Sequence, residues 1–146
     1  MDFAASFTLI TPELILTGAG LVLLLWTAWA GDKAARAISL VAILAFLAAG
    51  ITLVPGLHTG ASGPDTLAFG GLLKADSFAL YSKALIYLAA IGCLLVAPGF
   101  FDSEAAGAER GMRAEYSVLV LFAALGMSLM VSANDFMALY LGLELN

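Results

Sequence analysis

Long runs of apolar residues, separated by short polar segments, make up most of the chain. Four of these runs have about the 20 residues that an α-helix needs to cross a bilayer. A fifth begins near Phe136 and reaches only Leu145, which is too short to span. The pattern predicts an all-α fold, a polytopic transmembrane helix bundle. Its four complete spans and the first half of a fifth are predicted at about residues 9–30, 37–57, 78–101, 116–133 and 135–146.

The segments between the runs have the composition of turns and loops. Residues 55–75 contain Pro, Gly, Ser and Thr, which are typical of loops. Within them, residues 66–73 are predicted to form a short extended segment against the membrane surface. Asp76 with Ser77 has the pattern of an N-cap for the third helix, and either Asn134 or Asp135 is predicted to cap the fifth.

Basic residues are distributed unevenly among these connections. Lys33 and Arg36 follow the first run, and Arg110 and Arg113 precede the fourth, whereas the connection between the second and third runs has only Lys74. Loops rich in Lys and Arg stay in the cytoplasm. The first and third loops are therefore predicted to be cytoplasmic and the N-terminus to lie outside.

The composition agrees with a protein solvated by lipid. Apolar residues make up 62% of the chain and charged residues 12%, against about 45–50% and 25% in soluble domains. The formal net charge of −5 leaves no basic surface for nucleic acid, so none is expected as a partner. Cys93 and His58 are each the single residue of their type. A disulfide framework and a thiolate metal cluster are thereby excluded, and the sequence predicts neither a metal site nor a cofactor-binding site.

Ionisable residues within the apolar runs are the candidates for function, because such groups are costly in a membrane. Glu13 follows Pro12 at the start of the first helix, where the helix dipole favours a carboxylate near the interface. Lys83 lies about five residues into the third helix, so its side chain is expected to reach the outer surface by snorkelling. A role for Lys83 inside the bundle is the secondary interpretation.

Two further glutamates are interpreted as a proton relay. Glu144 lies ten residues after Asn134, and therefore about 15 Å into an apolar core about 30 Å thick. A glutamate cannot snorkel from that depth, although a protonated side chain hydrogen-bonded to a neighbouring helix remains the structural alternative. Glu115 opens the fourth helix near Arg113, where a capping charge paired with arginine is the alternative. Their depths are predicted to differ by about 10 Å, which favours a relay through water or a third group over direct contact.

From Glu115 to Leu145 the chain reads EYSVLVLFAALGMSLMVSANDFMALYLGLEL. This stretch resembles the N subunit family of respiratory NADH–quinone oxidoreductase (complex I), the counterpart of mitochondrial subunit 2. The TPE near the start of the first helix and KADSFALYSKALI at the entry to the third also fit. The family has a glutamate on its fifth helix, which matches Glu144, and one opening its fourth, which matches Glu115. Its partner lysines lie on later helices, outside these 146 residues. The resemblance therefore implies the N-terminal part of a longer membrane subunit.

The function implied by the resemblance is proton translocation coupled to quinone reduction. NADH, FMN, iron–sulfur clusters and quinone would belong to partner subunits, and the partners would be the other membrane subunits of complex I and the lipid bilayer. The chain would be a multi-pass protein of a bacterial inner membrane, without activity alone. Two alternatives remain open, namely a subunit of the related multisubunit cation/proton antiporters and a non-catalytic membrane scaffold.

Overall fold

The architecture is that of an all-α membrane helix bundle. In the computed structural model, residues 7, 9–59, 67–101 and 113–146 are described. Arg110 and the side chain of His58 lie outside the described part of the chain. The long helices and the short terminal helix are α1 (Thr11–Ala30), α2 (Ala35–Thr59), α3 (Ser77–Phe101), α4 (Ala114–Ser132) and α5 (Phe136–Leu145). Between α2 and α3, strands β1 (Leu67–Ala68) and β2 (Leu73–Lys74) pair antiparallel.

Three continuous helical segments within the described residues are long and apolar enough to cross a membrane. They are Thr11–Leu57, Ser77–Phe101 and Ala114–Ser132. The first has 47 residues and includes both α1 and most of α2, with a 3₁₀ turn (Gly31–Ala34) between them. Gly31 has φ of +60° and donates its backbone N–H to Thr27, which ends α1. Because α1 and α2 also pack on each other across this short turn, they form an antiparallel helical hairpin.

Helix α4 lies at the centre of the bundle. It contacts all four other helices, and the buried core is rich in alanine, which lets helix backbones approach closely in a membrane. Large apolar side chains instead cover the outside. Trp29 is 94% exposed, and Leu25 and Ile51 are each 70% exposed. Such exposure would be costly in water but is the normal state of a lipid-facing surface.

Two tertiary hydrogen-bond systems mark the two ends of the bundle. At one end, Asp32 in the 3₁₀ turn accepts a hydrogen bond from the backbone N–H of Ala114 at 3.1 Å, so the α1–α2 turn caps the start of α4. At the other end, Asn134 donates its backbone N–H to Leu72 at 3.0 Å and its side-chain amide to Gly71 at 2.8 Å. The β1–β2 hairpin is therefore fastened to the α4–α5 turn.

Side-chain hydrogen bonds identify the residues that cap α3 and α5. Asp76 accepts a hydrogen bond from the backbone N–H of Ala79 at 2.9 Å, which confirms the predicted N-cap of α3. Asp135, and not Asn134, caps α5 by accepting from Phe136 at 2.8 Å. The extended segment predicted in residues 66–73 corresponds in part to the two short strands, with Thr66 outside the described residues.

The cap of α3 predicts a pH dependence at this end of the bundle. The Ala79 N–H, followed by Lys74 at 3.0 Å, holds the pKa of Asp76 below its ordinary value of 3.8. A lowered folded-state pKa contributes stability that is complete above the ordinary value and is lost as pH falls through the folded value. We expect the unfolding midpoint of the chain in mixed micelles to fall on acidification. Asp76→Asn should remove part of this fall, and an identical acid profile for the variant would contradict the assignment.

Candidate functional site

A buried ion pair joins α1 to α3. Nζ of Lys83 lies 2.5 Å from Oε1 of Glu13, and the two side chains are 2% and 6% exposed. Glu13 lies in the first turn of α1, and Lys83 lies in the second turn of α3. The attraction between the Glu13 carboxylate and the Lys83 ammonium group offsets part of the free-energy cost of removing each charge from water.

Two hydroxyl groups extend this pair into a chain of hydrogen bonds. Ser128 on α4 donates to Oε1 of Glu13 at 2.8 Å. The hydroxyl of Tyr87 lies 3.0 Å from Oγ of Ser128, and since the single Ser128 proton is directed to Glu13, Tyr87 is the donor in that second bond. The Tyr87 ring packs against Phe46 of α2, with 5.8 Å between ring centroids. We call Glu13, Lys83, Tyr87 and Ser128 the buried polar cluster.

Helical periodicity explains why α3 contributes two members of the buried polar cluster. Lys83 and Tyr87 are four residues apart and therefore lie on the same helix face. The buried residues of α3 recur at intervals of one to four positions along one face: Ala79, Leu80, Lys83, Tyr87, Ala90, Leu94 and Ala97. Lys83 thus lies in the middle of the core stripe of α3.

The buried polar cluster corrects two sequence-based interpretations. The sequence favours an interfacial carboxylate for Glu13, yet only 4% of the residue is exposed. It predicts that Lys83 snorkels to the outer surface, yet the ammonium group is directed into the bundle against Glu13. The physical reason is the same for both, because pairing within the bundle offsets the desolvation that would otherwise drive each charge to the interface. The secondary interpretation, with Lys83 inside the bundle, gives its correct position.

Some buried polar atoms have no hydrogen-bond partner among the described residues. They are Oε2 of Glu13 and the hydroxyl oxygens of Ser117 and Ser132. Oε2 therefore keeps its lone pairs available, whereas Oε1 of the same carboxylate accepts from both Lys83 and Ser128. Within the described ranges, no group of three or more His, Cys, Asp or Glu side chains could hold a metal ion.

Glu115 lies in the first turn of α4 with its side chain exposed. It borders a shallow groove between α1 and α4 of about 360 Å³, whose other lining residues are Leu24, Thr27, Ala28, Val118 and Leu119. Most of these lining side chains are apolar. Glu115 lies at the end of the groove that is nearest to the contact between Asp32 and Ala114. The carboxylate is at the end of the bundle opposite to the α4–α5 turn.

Glu144 lies near the end of α5, also with its side chain exposed. All ten residues of α5 are described, and Gly142 alone is buried. Tyr140, one turn earlier on the helix, is exposed as well. The carboxylate therefore belongs to the face of an apolar helix that the described residues leave uncovered.

Gly126 and Gly142 set the close approach of α5 to α4. A Cβ added at Gly126 would lie 2.7 Å from the carbonyl oxygen of Gly142 and 2.8 Å from the backbone nitrogen of Asn146. A Cβ added at Gly142 would lie 3.0 Å from the backbone nitrogen of Met130. These contacts put Glu144 level with about Gly126 along α4.

The structure does not bring the two predicted relay glutamates together. Glu115 lies eleven residues before Gly126 on α4, so Glu115 and Glu144 are separated by about 16 Å along the helix axis. This distance exceeds the predicted 10 Å. Ser128, in contrast, lies close to the level of Glu144. Because Gly126 and Ser128 are two residues apart, they point to faces of α4 that differ by about 200°. The buried polar cluster and Glu144 therefore lie on opposite sides of α4.

Comparison with known proteins gives the family relationship. No family model matches the chain. A protein of Erythrobacter litoralis (strain HTCC2594) called NADH-quinone oxidoreductase subunit N is 55% identical over 146 residues, which is 100% of this chain and 29% of the relative. A protein of the same name from Rhizorhabdus wittichii is 50% identical over 99% of this chain and 28% of the relative. One from Sphingopyxis alaskensis is 44% identical over 97% and 27%.

These relatives carry the name of the family that the Glu115–Leu145 stretch resembles. The chain spans between 27% and 29% of the length of these curated relatives. The match to the Erythrobacter litoralis protein covers all 146 residues and therefore all five helices. The chain is therefore a homologue, over its full length, of part of the NADH-quinone oxidoreductase subunit N proteins.

Proposed function

We propose that the chain is part of a proton-translocating membrane subunit of an NADH:quinone oxidoreductase, in which Glu144 and Glu115 carry protons. The observation that supports this most is the position of Glu144. A carboxylate on the uncovered face of an apolar helix would cost about 2.5–3.5 kcal/mol against lipid at mid-membrane. The cost is avoided when that face is covered by protein or borders a water-filled path. In either surrounding, a titratable group can take up and release a proton.

Glu115 would serve the cytoplasmic entrance of the same path. Its exposed position beside the groove between α1 and α4 gives a carboxylate access to solvent at the bundle end. The separation of about 16 Å from Glu144 is too long for a direct proton transfer. Water molecules or further ionisable groups must connect the two carboxylates.

We further propose four membrane crossings, formed by α1 to α4, with α5 as the start of a fifth. The hydrogen bond between Asp32 and Ala114 places Lys33, Arg36 and Arg113 at one end of the bundle, which supports a cytoplasmic location for that end. The N-terminus and the β1–β2 hairpin would then lie outside the inner membrane.

The redox chemistry would belong to other subunits. The relatives are named as one subunit, N, of NADH-quinone oxidoreductase. We therefore assign NADH, FMN, iron–sulfur clusters and quinone to partner subunits of the complex, and we assign no catalytic activity to this chain alone.

Replacing Glu144 tests the proposal. In the full-length subunit within the assembled complex, we expect Glu144→Gln to lower the number of protons pumped per NADH oxidised. The amide keeps the size of the side chain and removes its titration. Glu115→Gln is expected to act in the same direction. The measurement is proton uptake by inverted membrane vesicles during NADH oxidation.

The matched control is Asp135→Asn, which removes one negative charge from the same helix but keeps an oxygen that can cap α5. It is expected to leave the proton ratio unchanged. Normal pumping by an assembled complex carrying Glu144→Gln would reject the proposal, and Glu144 would then be a hydrogen-bonding group of a membrane scaffold.

A further inference from the structure

We propose that Glu13 and Lys83 form a second proton-exchange site, on the side of α4 opposite to Glu144. The proposal rests on the proposed function, because it extends a proton path that Glu144 and Glu115 are taken to define. It assigns a proton-carrying role to two residues whose sequence positions predict interfacial charges.

The energetics of the buried pair argue for a role beyond stability. Removing two charges from water carries a large desolvation cost, and a buried ion pair often contributes no more stability than apolar residues of similar size. In a bundle surrounded by lipid, an apolar pair would fill the same space between α1 and α3 at low cost. Ionisable groups in such a position therefore indicate a path for ions or protons.

Glu13 and Lys83 have different roles in the proposed proton exchange, because Glu13 takes up the proton and Lys83 releases one. Oε2 of Glu13 has no partner among the described residues, so it is the atom that can accept an incoming proton. Protonated Glu13 is neutral and leaves the Lys83 ammonium without its counter-charge. The ammonium then releases one proton to a water molecule or the next acceptor. Transfer of the remaining proton from Glu13 to the Lys83 amine restores the original ion pair, so one proton has entered and one has left.

The surroundings of the pair support such a cycle. Ser128 and Tyr87 supply hydroxyl groups from α4 and α3, while Phe46 closes the site from α2. The hydrogen bond from Ser128 holds Oε1 in place while Lys83 changes its charge. The position of Ser128, close to the level of Glu144 on the other face of α4, puts both proton sites at a similar depth in the membrane.

Lys83→Arg tests the assignment, because a guanidinium keeps the positive charge but cannot be deprotonated in a protein. In the full-length subunit within the complex, we expect Lys83→Arg to lower the protons pumped per NADH oxidised as strongly as Glu144→Gln does. The matched control is Lys74→Arg, the same substitution at an exposed lysine outside the spans, which is expected to leave this ratio unchanged. A second variant, Glu13→Gln/Lys83→Met, replaces the pair with uncharged groups of similar size and is expected to lower the ratio equally.

The outcomes separate this inference from the proposed function. If Glu144→Gln lowers the proton ratio and the assembled Lys83→Arg and Glu13→Gln/Lys83→Met complexes pump normally, the pair is only structural and the inference is overturned. Failure of both variants to assemble would also overturn it, because the pair would then be a requirement of assembly. A normal ratio in Glu144→Gln would reject the proposed function instead. A loss in Lys83→Arg would still support the proton site at Glu13 and Lys83.

Discussion

Glu13→Gln is expected to destabilise the bundle by about 3–5 kcal/mol, the usual cost of removing one partner from a buried ion pair. Glutamine keeps the volume of the side chain and can still accept from Ser128, so packing changes little. What the substitution removes is the counter-charge of Lys83, whose side chain is 2% exposed. The cost therefore comes from an uncompensated ammonium group in an apolar core. Unfolding of the purified chain by dodecyl sulfate in mixed micelles measures it.

The double variant Glu13→Gln/Lys83→Met provides the control for this prediction. Methionine replaces the lysine stem with an unbranched apolar chain and removes the unpaired charge. We expect it to recover most of the stability lost in Glu13→Gln, so that the two substitutions are strongly non-additive. A double variant as unstable as the sum of both single variants would contradict a direct pair between these residues. Recovery would also make the pumping test interpretable, because it shows that the bundle forms without the pair.

The fold was largely predictable because a membrane simplifies the relation between sequence and structure. Every backbone polar group in a bilayer must be satisfied within the segment, so a long apolar run has few alternatives to a helix. The described helices end within two residues of the ends of the apolar runs. The cap of α5 also follows in part from local residue types, which predict either Asn134 or Asp135. The tertiary cap that Asp32 provides for Ala114 does not, because its two partners are separated by 82 positions.

The buried polar cluster could not be read from sequence position alone. Glu13 and Lys83 each lie near the beginning of a helix, where a charge ordinarily reaches the interface. Their pairing depends on α1 and α3 both packing against α4, which the apolar pattern does not encode. Lys83 shares a helix face with Leu80, Tyr87 and Ala90, which are all buried. The exposed faces of α3 are equally apolar, with Leu85, Leu88 and Leu95 among them, so the sequence does not distinguish the buried face.

The depth difference between Glu115 and Glu144 shows how a small loop shifts a site. Counting residues on either side of the turn predicts about 10 Å, on the assumption that α5 begins level with the end of α4. Ala133 and Asp135 instead have extended backbone conformations, so the chain continues away from α4 before α5 begins. Gly142 consequently lies opposite Gly126 and Met130. The position of α5 along α4 depends on how the two helices pack, so the sequence of either helix alone does not predict it.

Gly126→Ala and Gly92→Ala are expected to change stability in opposite directions. Both substitutions add one methyl group to a helix, where alanine is favoured over glycine by about 0.8–1 kcal/mol. A Cβ at Gly92 would have no atom within 4 Å, so Gly92→Ala should be stabilising. A Cβ at Gly126 would lie 2.7 Å from the Gly142 carbonyl oxygen of α5 and 2.8 Å from the backbone nitrogen of Asn146, which follows α5. Because backbone atoms cannot rotate away, α5 must move, at a cost of about 1–3 kcal/mol for overpacking. The same dodecyl sulfate titration measures both changes.

The displacement of α5 should also have a functional consequence. Gly142, which contacts Gly126, is two residues from Glu144, so the carboxylate moves with the helix. In the full-length subunit, we expect Gly126→Ala to lower the protons pumped per NADH oxidised although it removes no titratable group, while Gly92→Ala leaves this ratio unchanged. If Gly126→Ala were as stable as Gly92→Ala, the close approach of α4 and α5 would be wrong. If it were destabilised but pumped normally, proton transfer would not depend on where α5 holds Glu144.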